Sequence, residues 1–202
     1  MMPAAESTVR LGRAGGMLEE ELTAYIHATR ERTPGLTLGF HGHNNLGLAN
    51  ANSYTAWREG CTFVDSSMMG LGRSSGNAIT EQLVAIFVRA GIPIGIDPIA
   101  ALDVAEKLVR PIFPSQPPTS LDITAGLALF HSSYMPLLLA TAKKHRVDAR
   151  RLMLAVCAIS TAEARTEVVE FCAQRLAEQG AAPAMRPLAP VRTYVGSEQE
   201  VP

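Results

Sequence analysis

Between residues 8 and 90 short apolar segments alternate with amphipathic ones, and few folds are compatible with that alternation. Thr8-Val9-Arg10-Leu11 reads as a short strand, closed by Gly12-Arg13-Ala14-Gly15-Gly16. Residues 17–32 read as a helix: Leu18, Leu22, Tyr25, Ile26 and Ala28 recur at helical spacing, with Glu19-Glu20-Glu21 early and Arg30 and Arg32 late, as the helix dipole favours. Pro34-Gly35 stops it. Leu36–His41 is the second expected strand, 46–59 the second helix with Gly60 as its terminator, and Cys61–Ser66 the third strand. A loop, Gly70-Leu71-Gly72-Arg73-Ser74-Ser75-Gly76, then leads into a helix over 77–90 with Asn77 as its N-cap. Strand and helix in turn, joined by short loops, is the pattern of a parallel α/β sheet.

Three strands are fewer than such a fold needs to close. A barrel takes eight and about 250 residues, so the expected fold class is α/β, a partial barrel of three βα units over residues 8–112. After Pro93 the rhythm changes to helices, at 99–109 and, beyond the proline-rich linker 113–118, at 120–131, 136–145, 148–159 and 161–178. Asp148 is an expected N-cap, and Ser160-x-x-Glu163 an expected capping box. Residues 119–180 are therefore read as a helical C-terminal domain, 1–7 as a disordered start and 181–202 as a loose tail.

Composition excludes several function classes. With 47% hydrophobic residues and a net charge of −1 the chain is not of the disordered type. It has no basic excess with which to bind nucleic acid or an anionic membrane. No run of about 18 apolar residues is present to span a bilayer. Cys61, Cys157 and Cys172 are an odd number without a CxxC pair, which argues against a disulfide framework or a zinc cluster. No signal peptide is visible at Met1–Glu6, so a cytoplasmic location is expected.

The strongest chemical signal is His41-Gly42-His43 at a strand end. Side chains two apart on a strand share a face, so both imidazoles can reach one divalent metal. The carboxyl ends of strands are also where α/β folds build their sites. Two ordinary loop histidines would look the same. Asn44 and Asn45 are suited to orienting ligands or to capping the next helix, and the 70–77 loop to presenting backbone amides to an anion or simply to making a tight turn. The only lysines, Lys107, Lys143 and Lys144, fall on predicted helices outside the strands. A Schiff-base route lacks its desolvated amine there, and carbonyl chemistry in this chain would need a metal as electrophile. Asp65 is read as a turn residue, with a ligand or acid role as the alternative, and His27 and His145 as solvated. Cys157 and Cys172 are read as inert core residues, and Ser132-Ser133 lacks a nucleophile elbow.

Gly39-Phe40-His41-Gly42-His43-Asn44-Asn45-Leu46-Gly47 resembles the HxH strand of the DRE-TIM metallolyases, and Gly70-Leu71-Gly72-x-x-x-Gly76-Asn77 resembles their last-strand loop. Within that superfamily the wording is most similar to the class II pyruvate aldolases acting on 4-hydroxy-2-oxovalerate, over about residues 8–155. The resemblance implies a TIM barrel with a helical extension used in dimerisation and in docking an acylating acetaldehyde dehydrogenase. It implies retro-aldol cleavage to pyruvate and acetaldehyde, within aromatic hydrocarbon catabolism. A divalent ion, usually Mn2+, would hold the 2-oxo acid and stabilise the pyruvate enolate. By position His41 and His43 would be metal ligands, and His41 would also contact substrate.

The resemblance carries departures. Only the last three barrel strands match, so the family's aspartate ligand, catalytic histidine and arginine have no counterpart and the catalytic residues of this chain are unknown. Arg13 stands where the family has a substrate-contacting serine, and His131 where it has a tyrosine over the substrate. The glycine- and acid-rich motif of the family's C-terminus is not recognisable at 160–166. Two other readings remain: a Claisen-type acyltransferase like isopropylmalate synthase, and a subunit-type fragment that needs a complementing chain. Open sheet edges, together with apolar Leu127, Leu129, Phe130, Met135 and Leu137–Leu139, predict a homo-oligomer or such a partner.

Overall fold

The computed structural model describes residues 15–113 and 118–180 and the backbone of 8–11. The expected disordered start, the loose tail, most of the linker and Arg13 lie outside those residues.

Strands β1 (Thr8–Leu11), β2 (Thr37–His41) and β3 (Phe63–Asp65) form one parallel sheet in the order β1-β2-β3. Thr8 pairs with Thr37 and Leu11 with Phe40, and His41 lies opposite Asp65. Parallel neighbours need a crossover, and here α1 (Glu19–Arg32) and α2 (Ala49–Arg58) supply it. The sheet's core is Leu38 and Phe40 of β2, Met17 before α1, Leu22 and Ile26 of α1, and Ala56 and Cys61 around the end of α2. Gly60, at φ +88°, ends α2 in the left-handed conformation as expected. The sheet then gives way to α3 (Thr80–Arg89) and α4 (Pro98–Val104), which runs on into a wider turn at Ala105–Val109. Asp97 caps α4 through the N–H groups of Ile99 and Ala100.

A second core lies among α5 (Ser120–Ala128), α6 (Met135–His145), α7 (Ala149–Ile159) and α8 (Thr166–Glu178). Leu138, Leu152, Met153, Val156 and Val169 are fully enclosed there. No helix among the described residues is long and apolar enough to cross a membrane.

Several expectations are corrected. Asn77 caps nothing: α3 begins at Thr80, and the side chain that receives the Ile79 N–H is Asn50. Ser160 does take the N–H groups of Ala162 and Glu163, but the box opens no helix, because α8 starts only at Thr166. Local hydrogen bonding made a turn there in place of a first helical turn. His145 is not solvated, since it is half-buried and its Nε2 lies 2.6 Å from Glu170 Oε2. His27, though exposed, is paired with Glu59 at 2.7 Å. Of the expected apolar surface, Phe130 and Leu138 are buried in the helical core, whereas Leu127 and Leu139 are exposed.

Asp148 caps α7 as expected, accepting the Arg150 N–H and the Arg150 guanidinium. The Arg150 side chain is the main reason its carboxyl is lowered from 3.8 to about 2. A carboxyl depressed in the fold stabilises it above its unfolded value, and that stabilisation is lost as the pH falls through the folded one. Asp148→Ala should therefore cost about 0.5–2 kcal/mol at neutral pH. In urea melts the gap between the two proteins should close from about pH 4 down to about 2.

Candidate metal centre

The β2 strand ends at His41, and the chain leaves the sheet through Gly42 and His43. The two imidazoles face each other edge-on, their centroids 4.8 Å apart and their planes at 89°. The i, i+2 placement that the sequence predicts is thus realised. Asp65, opposite His41 on β3, brings Oδ2 to 3.3 Å from His41 Nδ1. The expectation of a plain turn residue is corrected: Asp65 ends a strand beside the first histidine.

The glycine loop closes the other side. Asn44 donates its N–H to the Gly76 carbonyl, Ala78 donates to Gly42, and Asn77 donates to Gly70. His43 and Asn77 thereby pair as an antiparallel bridge. Gly76 sits at φ +81°, and a Cβ there would fall 2.0 Å from the Gly70 carbonyl oxygen. The loop can be this tight only with glycine at that position.

Burial is the main cause of a lowered His43 pKa, and the charge of His41 adds to it. The Gly76 carbonyl and the Asn77 side chain favour the charged ring but do not outweigh burial. A neutral imidazole is the form that binds a metal. Among the described residues four buried side-chain atoms meet no hydrogen-bond partner, and three of them, His43 Nδ1, Ser75 Oγ and Asn77 Oδ1, belong to this strand end and loop. Buried polar atoms without partners are uncommon and point to an unfilled requirement. Asn77 is the residue that sequence reasoning misplaced. Its Nδ2 donates to the Leu71 carbonyl at 2.8 Å, which leaves the buried Oδ1 as an acceptor. The Gly-Asn pairing at the loop's end is the signal that could have found it.

The asparagines after the histidines divide the work. Asn44 Oδ1 caps α2 through the Ala49 N–H, whereas Asn45 reaches α5 and the glycine loop. His131 stands just beyond α5, with its Nδ1 2.7 Å from Ser133 Oγ, and its charge acts on His43. The structure thus brings His41 and His43 together, and places His131 just after the helix that Asn45 reaches. The donor set, two imidazoles with a buried amide oxygen nearby, fits a divalent ion in kind, although no group of three His, Cys, Asp or Glu side chains converges among the described residues.

The HMGL-like family pattern matches residues 3–109, more than half of the chain. The chain belongs to the HMGL-like family. It is 38% identical over 151 residues to the 4-hydroxy-2-oxovalerate aldolase of Geobacillus stearothermophilus, a match covering 74% of this chain and 44% of that protein. It is 37% identical over 142 residues to the aldolase of the same name from Chloroflexus aurantiacus, covering 70% of this chain and 41% of that one. The chain therefore spans about two-fifths of the length of the curated relatives it matches. Among solved structures, the N-terminal domain of a candidate aldolase from Bacteroides vulgatus superposes with a TM-score of 0.53 and 25% identity, over 59% of this chain and 40% of that one. The carboxyl transferase domain of Rhizobium etli pyruvate carboxylase gives a TM-score of 0.62 at 18% identity, over 85% of this chain and 31% of that one, and shares the fold.

Replacing Gly76 tests whether the HMGL-like loop is as constrained as its geometry requires. Gly76→Ala places a side chain where backbone already is, and backbone strain of this kind costs about 1–3 kcal/mol. Thermal melting should show a clear loss of stability. Faster amide exchange at Asn44 and Ala78, whose N–H groups bond across this junction, should accompany it.

Proposed function

We propose that this chain carries the strand-end histidines of a metal-dependent aldolase that cleaves a 4-hydroxy-2-oxo acid, 4-hydroxy-2-oxovalerate in the first instance, to pyruvate and an aldehyde. The observation that carries the reading is the facing His41–His43 pair with buried, unpartnered acceptors beside it, in a chain about 38% identical to curated 4-hydroxy-2-oxovalerate aldolases. In this reading β1, β2 and β3 are the last three strands of a barrel, and residues 119–180 are its helical extension.

His41 and His43 would hold the ion, Mn2+ being the first choice, with Asn77 Oδ1 as a nearby oxygen donor. Bound there, a divalent ion supplies Lewis acidity to the 2-oxo group and its developing enolate. Asp65 holds the His41 ring in orientation, as carboxylates commonly do behind metal-binding histidines. Burial keeps His43 neutral and so available as a donor. His131, and Arg13 where the family has a serine, would meet the substrate. The cleavage takes a proton from the C4 hydroxyl, breaks the C3–C4 bond with its electron pair passing to the pyruvate enolate, and returns a proton to C3. Exposed His131, which follows α5, would be the side chain to exchange such a proton.

A second reading has its own support. The described sheet ends at β3, where Phe63 is 51% exposed, and β1 is the opposite edge. Edges of this kind invite further strands, so a complementing chain or a second copy would extend the sheet and supply the remaining ligands. An acylating acetaldehyde dehydrogenase is a further partner for the helical unit, and the cytoplasm is the expected location.

Metal content decides first. Purified with manganese, the chain should bind it, and His41→Ala and His43→Ala should each lose most of it. Unchanged stoichiometric metal in both would overturn the assignment. Pyruvate release from 4-hydroxy-2-oxovalerate, coupled to lactate dehydrogenase, should fall about 100-fold or more in either variant of the assembled enzyme, the scale of acid–base and ligand losses. In sedimentation at low micromolar concentration the protein should run as a dimer or larger, and a stable monomer of 21.6 kDa would count against the open-edge reading.

A further inference from the structure

We propose that Glu81 and Asp122 are positioning residues that grip the glycine loop from two helices, at its left-handed residues Met69 and Ser74, and so hold Asn77 opposite His43. The inference rests on reading the His41–His43 pair as a metal site. Among the described residues four non-glycine residues have a left-handed φ. Leu129 and Arg146 are the C-caps of α5 and α6, where that conformation is ordinary. The other two, Met69 at φ +52° and Ser74 at φ +56°, lie in the loop between β3 and α3. A residue with a Cβ keeps this conformation only where its surroundings enforce it. Each of these two is held by a carboxylate. Glu81, buried in the first turn of α3, accepts the Met69 N–H on Oε2 at 3.0 Å. The Ser74 hydroxyl donates to Asp122 Oδ1 at 2.5 Å and accepts from Asn45 Nδ2 at 2.9 Å. The other oxygen of Asp122 takes the Thr119 N–H and hydroxyl, which fixes it at the start of α5. Burial works against the Asp122 charge, but the bonds from Ser74 and Thr119 prevail and keep its carboxyl below the usual range.

The two grips bracket the backbone that encloses Asn77. Directly after Met69, the Gly70 carbonyl accepts the Asn77 N–H at 2.9 Å, and the Leu71 carbonyl accepts Asn77 Nδ2 at 2.8 Å. A Cβ on Gly72 would fall 2.7 Å from that same Nδ2, so the amide lies flush against this stretch of chain. On the far side Ser74 leads through Ser75 and Gly76 back to Asn77, and the Gly76 carbonyl is taken by the Asn44 N–H at 3.0 Å. The cradle of Asn77 is thus fastened to α3 at one end and to α5 at the other. Within it Asn77 Oδ1 is buried without a partner, and so is Nδ1 of His43, its bridge partner. A loop free to relax would let that amide turn to other donors, whereas a fixed one keeps an acceptor available to an ion. Glu81 and Asp122 touch neither substrate nor metal in this scheme and act through the loop.

Two measurements on the full chain test this: amide exchange at Asn77 and Ala78 without metal, and Mn2+ affinity from the resonance of free Mn2+. Glu81→Met removes the acceptor at similar side-chain length, and Glu81→Gln keeps a carbonyl oxygen for the Met69 N–H. Ser74→Ala removes the hydroxyl and keeps the Cβ, at an exposed position where the fold survives. Ser74→Gly removes the hydroxyl but eases the left-handed backbone. Glu81→Met and Ser74→Ala should speed exchange at both amides and weaken Mn2+ binding about 10–100-fold, the scale of losses behind a metal ligand. Glu81→Gln should stay near the wild type on both measurements, and Ser74→Gly should recover part of what Ser74→Ala loses. Exchange and affinity both unchanged in Glu81→Met and Ser74→Ala would overturn the grips. Faster exchange or a lower melting temperature with unchanged Mn2+ affinity would reduce the two carboxylates to structural contacts and overturn the proposal as well. A wild type that binds no Mn2+ overturns the reading of the metal site instead, and the exchange rates then still decide whether the carboxylates fix the loop.

Discussion

Asn44 donates to the carbonyl of Gly76, Ala78 donates to the carbonyl of Gly42, and between these two hydrogen bonds the end of β2 and the glycine loop become one surface. The pairing forces His43 against Asn77 and leaves polar atoms buried without protein partners. It also requires glycine at position 76, where a methyl group would overlap the Gly70 carbonyl. The site's chemistry follows from this backbone junction more than from any single side chain. The sheet supplies a rigid ledge for it, with Leu38 and Phe40 anchored in the core on either side of Gly39. The histidines project from a strand end that cannot drift, as strand-borne sites require.

Much of this arrangement was legible in the order of residues. Period-two apolar segments, helix-dipole charges and glycine stops placed three strands and their crossovers to within a few residues. The His-x-His spacing put the two imidazoles together at the end of β2, as they are in the structure. The failures share one physical cause. Asn77, Ser160 and Asn45 carry short polar side chains that satisfy local helix-capping rules, and local rules are all that spacing can express. In the folded chain Asn77 donates to Leu71, Ser160 caps a turn without a helix, and Asn45 bonds a helix 77 residues away. A side chain's partner at that separation is decided by which elements pack together, and no window along the chain contains that information. His145 was misread for the same reason, its carboxylate partner Glu170 lying 25 residues on.

Two cores, one beneath the sheet and one among α5–α8, meet through a small set of contacts rich in glycine. Gly16, against the Gly126 carbonyl, and Gly126, against the Leu46 and Asn45 side chains, allow a close approach where added side chains would hold the units apart. Directed hydrogen bonds cross this junction as well, from Asn45 and Ser74 to Asp122. The end of β2 and the helical unit are therefore joined through Asn45, two residues past His43.

Electrostatics narrows the chemistry further. A carbonyl substrate can be activated by an amine that forms a Schiff base or by an electrophilic ion. The amine route needs a lysine kept unprotonated by burial, yet Lys107 is exposed and paired with Asp103, Lys144 is exposed and paired with Glu170, and Lys143 is exposed as well. None of the three is buried. The imidazole of His43 is in the opposite situation, because burial and a neighbouring histidine both disfavour its protonation. Two imidazoles thus meet at a strand end, one of them buried, while every lysine of the chain is exposed on the helices.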